Sequence, residues 1–315
     1  MGLVNGFVYV VFPLIAVLGL IRKFRVYQWG HCKSKSSLHG KLFIVTGANS
    51  GIGKETVRVL ARRKARIVMA CRDLQTAKTA IEEIRRDVST GELIPMCLDL
   101  ASLESVRRFA SEVLKDFPKI NVLINNAGVS VPVSLGRKTE DGFEINFGIN
   151  HLGHFLLTNL LLPRIKESAP SRIVIVSSML HERGQIQFDN LNGEKGFANT
   201  SQRMNPGYCN SKLANMYFCK ELAKRTEGSG VDCYALCPGF IFGFEMVSVH
   251  SVFANCICFH ADSITEESLE GKSGFFYRNC DIYESKVKFY PNISTKLWEV
   301  SEEMVGLKKS EEEKS

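Results

Sequence analysis

Short apolar runs alternate along the chain with longer stretches whose apolar residues recur every three or four positions, the first pattern typical of buried strands and the second of helices. Strands are expected at Leu42 to Val45, Ala65 to Ala70, Leu93 to Leu98, Ile120 to Ile124, Ile173 to Val176 and Val231 to Leu236, with a last one near Gly274-Phe275-Phe276-Tyr277. Helices are expected between them. One follows Gly53, with Val57, Leu60 and Ala61 on one side; a second covers Leu74 to Val88, and a third starts at Ser102. Two longer ones cover Phe147 to Lys166 and Tyr208 to Arg225. This order implies an α/β fold: a doubly wound, mostly parallel sheet with helices on both faces and its ligand at the carboxyl ends of the strands.

The pattern breaks at both ends. Val4 to Ile21 is apolar apart from Asn5 and is followed by Arg22-Lys23-Phe24-Arg25. That run reaches the lower limit of about 17 residues for a membrane-spanning helix, and the basic cluster keeps the following domain on the cytosolic side. The expected organisation is a membrane anchor over 1–25 that contacts lipid through residues 4–21, a linker over 26–40 and a main domain over 41–305. A charged, disordered tail is expected over 306–315. On the cytosolic side the sequons at Asn199 and Asn292 are expected to stay unmodified.

Composition narrows the classes further. At 45% hydrophobic and 23% charged the chain is globular, and its net charge of +7 is spread without a basic block, which argues against nucleic acid. The ten cysteines are irregularly spaced and several fall in apolar runs, as buried thiols do in a reducing compartment. Cys256 and Cys258 have no partner cluster, so no metal is expected.

Two constellations carry chemistry. Lys41 to Gly53 reads K-L-F-I-V-T-G-A-N-S-G-I-G, a glycine-rich turn between strand and helix. Such a turn lets backbone approach a phosphate and aims helix N–H groups at it, as in the Rossmann-type fold. Tyr208 and Lys212 stand at i and i+4 of one helix, where an ammonium can stabilise a phenolate and draw its pKa down from about 10. They lie downstream of Asn125-Asn126-Ala127-Gly128 and Ser177-Ser178, each at the end of an expected strand.

With these motifs in view, the stretch from Lys41 to Gly239 resembles the short-chain dehydrogenase/reductase family. The resemblance rests on Thr46 to Gly53, Asp99 to Ser102, Asn125 to Gly128, Asn150 to Phe155, Val176 to Ser178, the Tyr208/Lys212 pair and Cys237 to Gly239. Ala70 to Asp73, Ser211 to Asn215 and the amino-terminal anchor make it similar to the microsomal retinol dehydrogenase branch, implying an endoplasmic reticulum membrane. The resemblance implies that Tyr208 exchanges a proton with the substrate oxygen, that Ser178 hydrogen-bonds that oxygen and that Ser177 is structural. It further implies that Lys212 holds the nicotinamide ribose and that Asn150 fixes a proton-relaying water. The cofactor bed would comprise Thr46, Gly47, Asn49, Ser50, Gly51, Ile52, Gly53, Arg72, Asp99, Asn126, Ala127, Gly128, Tyr208, Lys212, Pro238 and Gly239. His151 and His154 are spaced like metal ligands, but the family uses no metal. NAD-preferring members carry an acid where this chain has Cys71 followed by Arg72, so NADP(H) is expected, with Lys54 a possible second cation. The implied substrate is a small apolar alcohol or carbonyl, with retinol/retinal or a similar lipid carbonyl foremost.

The chain departs from the family after Pro238-Gly239. The threonine expected in P-G-x-x-x-T is absent, and the segment to Gly274 shows no crossover-helix pattern. Residues 240–262 therefore read as a divergent lid region, docked loosely or, alternatively, set against the membrane. That leaves a second possibility, a catalytically weak NADP(H)-binding protein with a truncated lid.

Overall fold

The computed structural model describes residues 11–13, 16–17, 19–20, 36–197, 204–238, 272–278 and 281–308. The elements of the main domain are β1 (Leu42–Thr46), α1 (Gly51–Arg62), β2 (Arg66–Cys71), α2 (Leu74–Arg85), β3 (Glu92–Cys97), α3 (Leu103–Asp116) and β4 (Val122–Asn125). They continue with α4 (His154–Glu167), β5 (Ser171–Val176), α5 (Pro206–Arg225), β6 (Val231–Cys237), β7 (Phe276–Arg278), β8 (Asp281–Ile282) and α6 (Pro291–Met304). The sheet order is β3-β2-β1-β4-β5-β6-β7-β8, parallel except for β8. Strand order reverses between β1 and β4, which opens a crevice at their carboxyl ends.

The sheet is buried on both faces. Phe43, Val45 and Ile67 pack under α1 and α2, whereas Ile44, Leu123 and Ile175 pack under α3 to α6. The stripe Val57, Leu60 and Ala61 faces the first core as its spacing predicts. Burial of each large side chain contributes about 1.5–3 kcal/mol. Pro95 is tolerated inside β3 because β3 forms the sheet edge.

Two helices depart from the expected pattern. The segment expected as one helix from Phe147 consists of a short turn at Ile145–Phe147, a wider π-type turn at Gly148–Gly153 and then α4. The helix α6 was not anticipated; Ile293, Leu297 and Trp298 mark its inner side, and Trp298 packs edge-on against Phe155 at 4.9 Å.

Among the described residues no helix is long and apolar enough to cross a membrane. The anchor expected over 4–21 lies mostly outside them; its described residues are helical, with Phe12, Val17 and Leu20 exposed. The 240–262 region lies outside the described residues. Residues 306–308 still turn back onto α6, where Leu307 and Lys308 donate to the Glu302 carbonyl, and 309–315 lie outside the described residues.

Candidate active site

The turn leaving β1 has no room for side chains at two positions. Gly47 has φ +64°, and a Cβ there would stand 2.9 Å from Ala127 Cα; a Cβ on Gly53 would collide with the Gly47 carbonyl. Thr46 lies beneath the turn. Its buried hydroxyl accepts the main-chain N–H groups of Asn126 (2.9 Å) and Ala127 (3.0 Å), so it braces the crevice from below and does not line it. The helix α1 starts without a side-chain cap and without an acid in its first turn, whereas Asp73 caps α2 and Ser102 caps α3. The first N–H groups of α1 are therefore left for an anion.

The crevice measures about 570 Å³. Gly47, Asn49, Ser50, Gly51, Ile52 and Gly53 line it from the turn, Asn126, Ala127 and Gly128 from the end of β4, and Arg72 and Asp99 from the ends of β2 and β3. Leu98, Leu100, Val129 and Ile149 also line it and were missed; each directly flanks a motif residue, which was the available signal. Arg72 is exposed and makes no ion pair among the described residues, while Asp73 is engaged in capping α2 and Asp99 accepts from the Ala101 N–H at 2.9 Å. Lys54, the second cation considered, pairs with the Glu83 carboxylate on α2 at 2.6 Å.

Tyr208, Ser178 and Lys212 lie together at the other end. Tyr208 sits in the first turn of α5, with the Ser178 hydroxyl near enough to its phenol to favour the ionised form. One turn on, the buried Lys212 ammonium lies 5.6 Å from the Tyr208 ring centroid and donates to the Val176 carbonyl at 2.9 Å. Burial lowers the Lys212 pKa to about 8. Burial also raises Tyr208 above its ordinary phenol value, with the Ser178 hydrogen bond opposing. Lys212 is not among the causes of this shift, and with its pKa raised Tyr208 is protonated at neutral pH. Ser177 turns away, donating to the Lys212 main-chain carbonyl at 2.9 Å.

Asn150 lies in the π-type turn and is fully buried. Its side-chain oxygen accepts the Val129 N–H at 2.8 Å, and its amide donates to the Val129 carbonyl and to Ser211 Oγ, both at 2.9 Å. The side-chain amide is therefore committed to protein. Pro238 follows β6 at the carboxyl edge of the sheet and does not line the crevice; Gly239 lies outside the described residues.

His151 and His154 are structural pillars. Thr46 accepts two N–H groups, and the nearer acceptor for its own proton is His154 Nε2 at 2.8 Å, so the imidazole carries its hydrogen on Nδ1 and donates to the Asn150 carbonyl at 3.1 Å. His151 links Asn215 (3.3 Å) to Ser301 of α6 (3.1 Å). Burial lowers His151 to about 4 and His154 to about 3, so both are neutral. Among the described residues no group of three side chains could hold a metal ion.

Comparison with known proteins agrees with this geometry. The family model of the short chain dehydrogenases matches residues 41–249. The chain is 40% identical to retinol dehydrogenase 12 of Bos taurus, covering 96% of both chains, and 43% identical to retinol dehydrogenase 11 of Homo sapiens, covering 88% of this chain and 90% of that one. Among solved structures, an uncharacterized protein from Mycobacterium Paratuberculosis is 32% identical with a TM-score of 0.66, covering 88% of this chain and 98% of that one. A Pseudomonas aeruginosa RhlG/NADP complex shares the fold at 20% identity, with a TM-score of 0.58 over 77% of this chain and 95% of that one.

Proposed function

Since the chain belongs to the short-chain dehydrogenase family, in its retinol dehydrogenase-like branch, we propose that it is an NADP(H)-dependent oxidoreductase that interconverts an apolar alcohol and its aldehyde or ketone, retinol and retinal foremost. The observation that carries this reading is the convergence of the Tyr208 phenol, the Ser178 hydroxyl and the buried Lys212 ammonium at the carboxyl ends of the strands. When bound, the nicotinamide supplies or accepts the hydride. Tyr208, protonated at neutral pH, gives its proton to the substrate oxygen in reduction, and Ser178 orients that oxygen. Lys212 makes one hydrogen bond to protein among the described residues, which leaves N–H groups for the ribose hydroxyls. Gly47, Gly53 and the uncapped start of α1 suit the pyrophosphate, and Arg72, exposed at the crevice and without an ion pair among the described residues, suits a 2′-phosphate.

Residues 4–21 hold the domain to a membrane, with the basic cluster at 22–25 on the cytosolic side, and the endoplasmic reticulum is the membrane we infer. The apolar run and the exposed Phe12, Val17 and Leu20 support this. The test of function uses the full chain in detergent micelles with NADPH and all-trans-retinal or a panel of apolar aldehydes. Retinol formation that disappears in Tyr208→Phe is the expected result. Tight NADPH binding without turnover of any aldehyde would leave a cofactor-binding protein, and absence of NADPH binding would overturn the proposal.

A further inference from the structure

Ser178 opens a short 3-10 turn, Met179–Arg183, whose far side is fastened to a segment more than a hundred positions away. The Ser178 carbonyl accepts two hydrogen bonds from His181, one from its main-chain N–H at 3.1 Å and one from Nδ1 at 2.6 Å. With its hydrogen on Nδ1, the imidazole presents Nε2 as an acceptor. Ser285 Oγ lies 2.7 Å from Nε2 and itself accepts the Val287 N–H at 3.1 Å, so the Ser285 proton is directed to the ring. The ring is fully buried, edge-on to Phe276 at 4.9 Å and stacked with Phe289 at 6.5 Å. Beside it, Glu182 Oε1 accepts from the Tyr283 hydroxyl (3.2 Å) and the Lys286 N–H (3.0 Å). On the near side, the Leu180 N–H holds Ser178 Oγ at 3.2 Å.

We propose that Ser285 and His181 are positioning residues for the reaction. Through them the segment that follows β8 fixes the peptide plane after Ser178, and hence the direction in which the Ser178 hydroxyl meets Tyr208. A relay of neutral hydrogen bonds runs from Ser285 through His181 to the Ser178 carbonyl, with every donor matched to one acceptor. Removal of the Ser285 hydroxyl strands a buried ring nitrogen, and the ring must turn or tilt to satisfy it. The Ser178 carbonyl then loses its shortest hydrogen bond, and the hydroxyl on the same residue loses its fixed aim. The catalytic consequence rests on the oxidoreductase reading above; the hydrogen-bond relay does not.

The test compares Ser285→Ala in the full chain with the same substitution placed on Ser178→Ala. The expected result is a kcat lowered about ten-fold by Ser285→Ala alone, with the KM for NADPH unchanged, because misplacement of a reacting group acts on turnover. In the Ser178→Ala background Ser285→Ala should have no further effect, since the two act as a unit. Ser285→Thr, which keeps the hydroxyl, should recover most of the loss. An equal loss in both backgrounds, or a loss confined to KM, overturns the proposal. A readout free of turnover separates its failure from failure of the function. Nitrogen-15 NMR of labelled histidine should show His181 hydrogenated on Nδ1 in the unaltered chain and perturbed in Ser285→Ala. Identical His181 resonances in the two proteins overturn the relay even if no carbonyl substrate is ever found.

Discussion

The two ends of the crevice follow opposite rules of polar pairing. At the turn after β1, α1 has no side-chain cap, and among the described residues the Arg72 guanidinium has no ion pair with a carboxylate. Around Tyr208, the side chains of Asn150, His154, Ser177 and Ser211 are each committed to a protein neighbour, largely out of water. The difference teaches which part of the site binds and which part is pre-organised. Open donors cost little at an exposed surface and wait for an anion, whereas a buried network must be complete before any ligand arrives.

The sharpest break of that contrast is at the reacting end. Tyr208→Phe should lower turnover by about 10²- to 10⁴-fold while NADPH affinity, read by fluorescence titration, stays within about two-fold. The buried network should next reveal itself through pH. His151, His154 and His181 all bind fewer protons folded than unfolded, because burial lowers their pKa values, to about 4 for His151 and about 3 for His154. Stability is therefore full above the unfolded value of about 6.5 and falls as the pH drops below it, by on the order of a few kcal/mol near pH 4. Denaturant midpoints across this range check the sign, and His154→Gln should flatten the slope. A midpoint that rises on acidification would contradict the neutral-histidine arrangement.

At the open end the effects are smaller and selective. Arg72→Glu should weaken NADPH by about 10- to 100-fold and leave NADH within about three-fold, the loss expected for hydrogen bonds to a charged group. Equal loss of both cofactors in titration calorimetry would remove Arg72 from the 2′-phosphate site. Smallest of all, Asp73→Ala should cost about 1 kcal/mol of unfolding stability through the lost cap and leave the ratio of the two affinities unchanged.

The legible part of the fold was the part governed by local pattern. Strands such as β1 are apolar from Leu42 to Val45 because both faces are covered, and Gly47 and Gly53 of the turn are imposed by approaches of under 3 Å. Tyr208, Lys212 and Ser178 could be singled out in the sequence because each belongs to a short motif at the end of a strand or on one helix face, and the fold brings them together. The roles of His151 and His181 were not legible, because their partners Ser301 and Ser285 stand 150 and 104 positions away. Asn150 could be singled out as the residue that fixes a water, but only the packing shows its side chain engaged by Val129 and Ser211. The helix α6 escaped because Ser294 and Ser301 interrupt its buried side with hydroxyls where a regular apolar stripe would be sought.

The bare beginning of α1 also bears on the lifetime of the protein. A ligand that binds only the native state at a hundred times its dissociation constant adds about 2.7 kcal/mol to the work of unfolding, so the empty chain is the one that heat and proteases reach first. Thermal resistance of this enzyme should then rise and fall with the supply of reduced dinucleotide around it, coupling how much of the protein persists to the redox state of the compartment it faces.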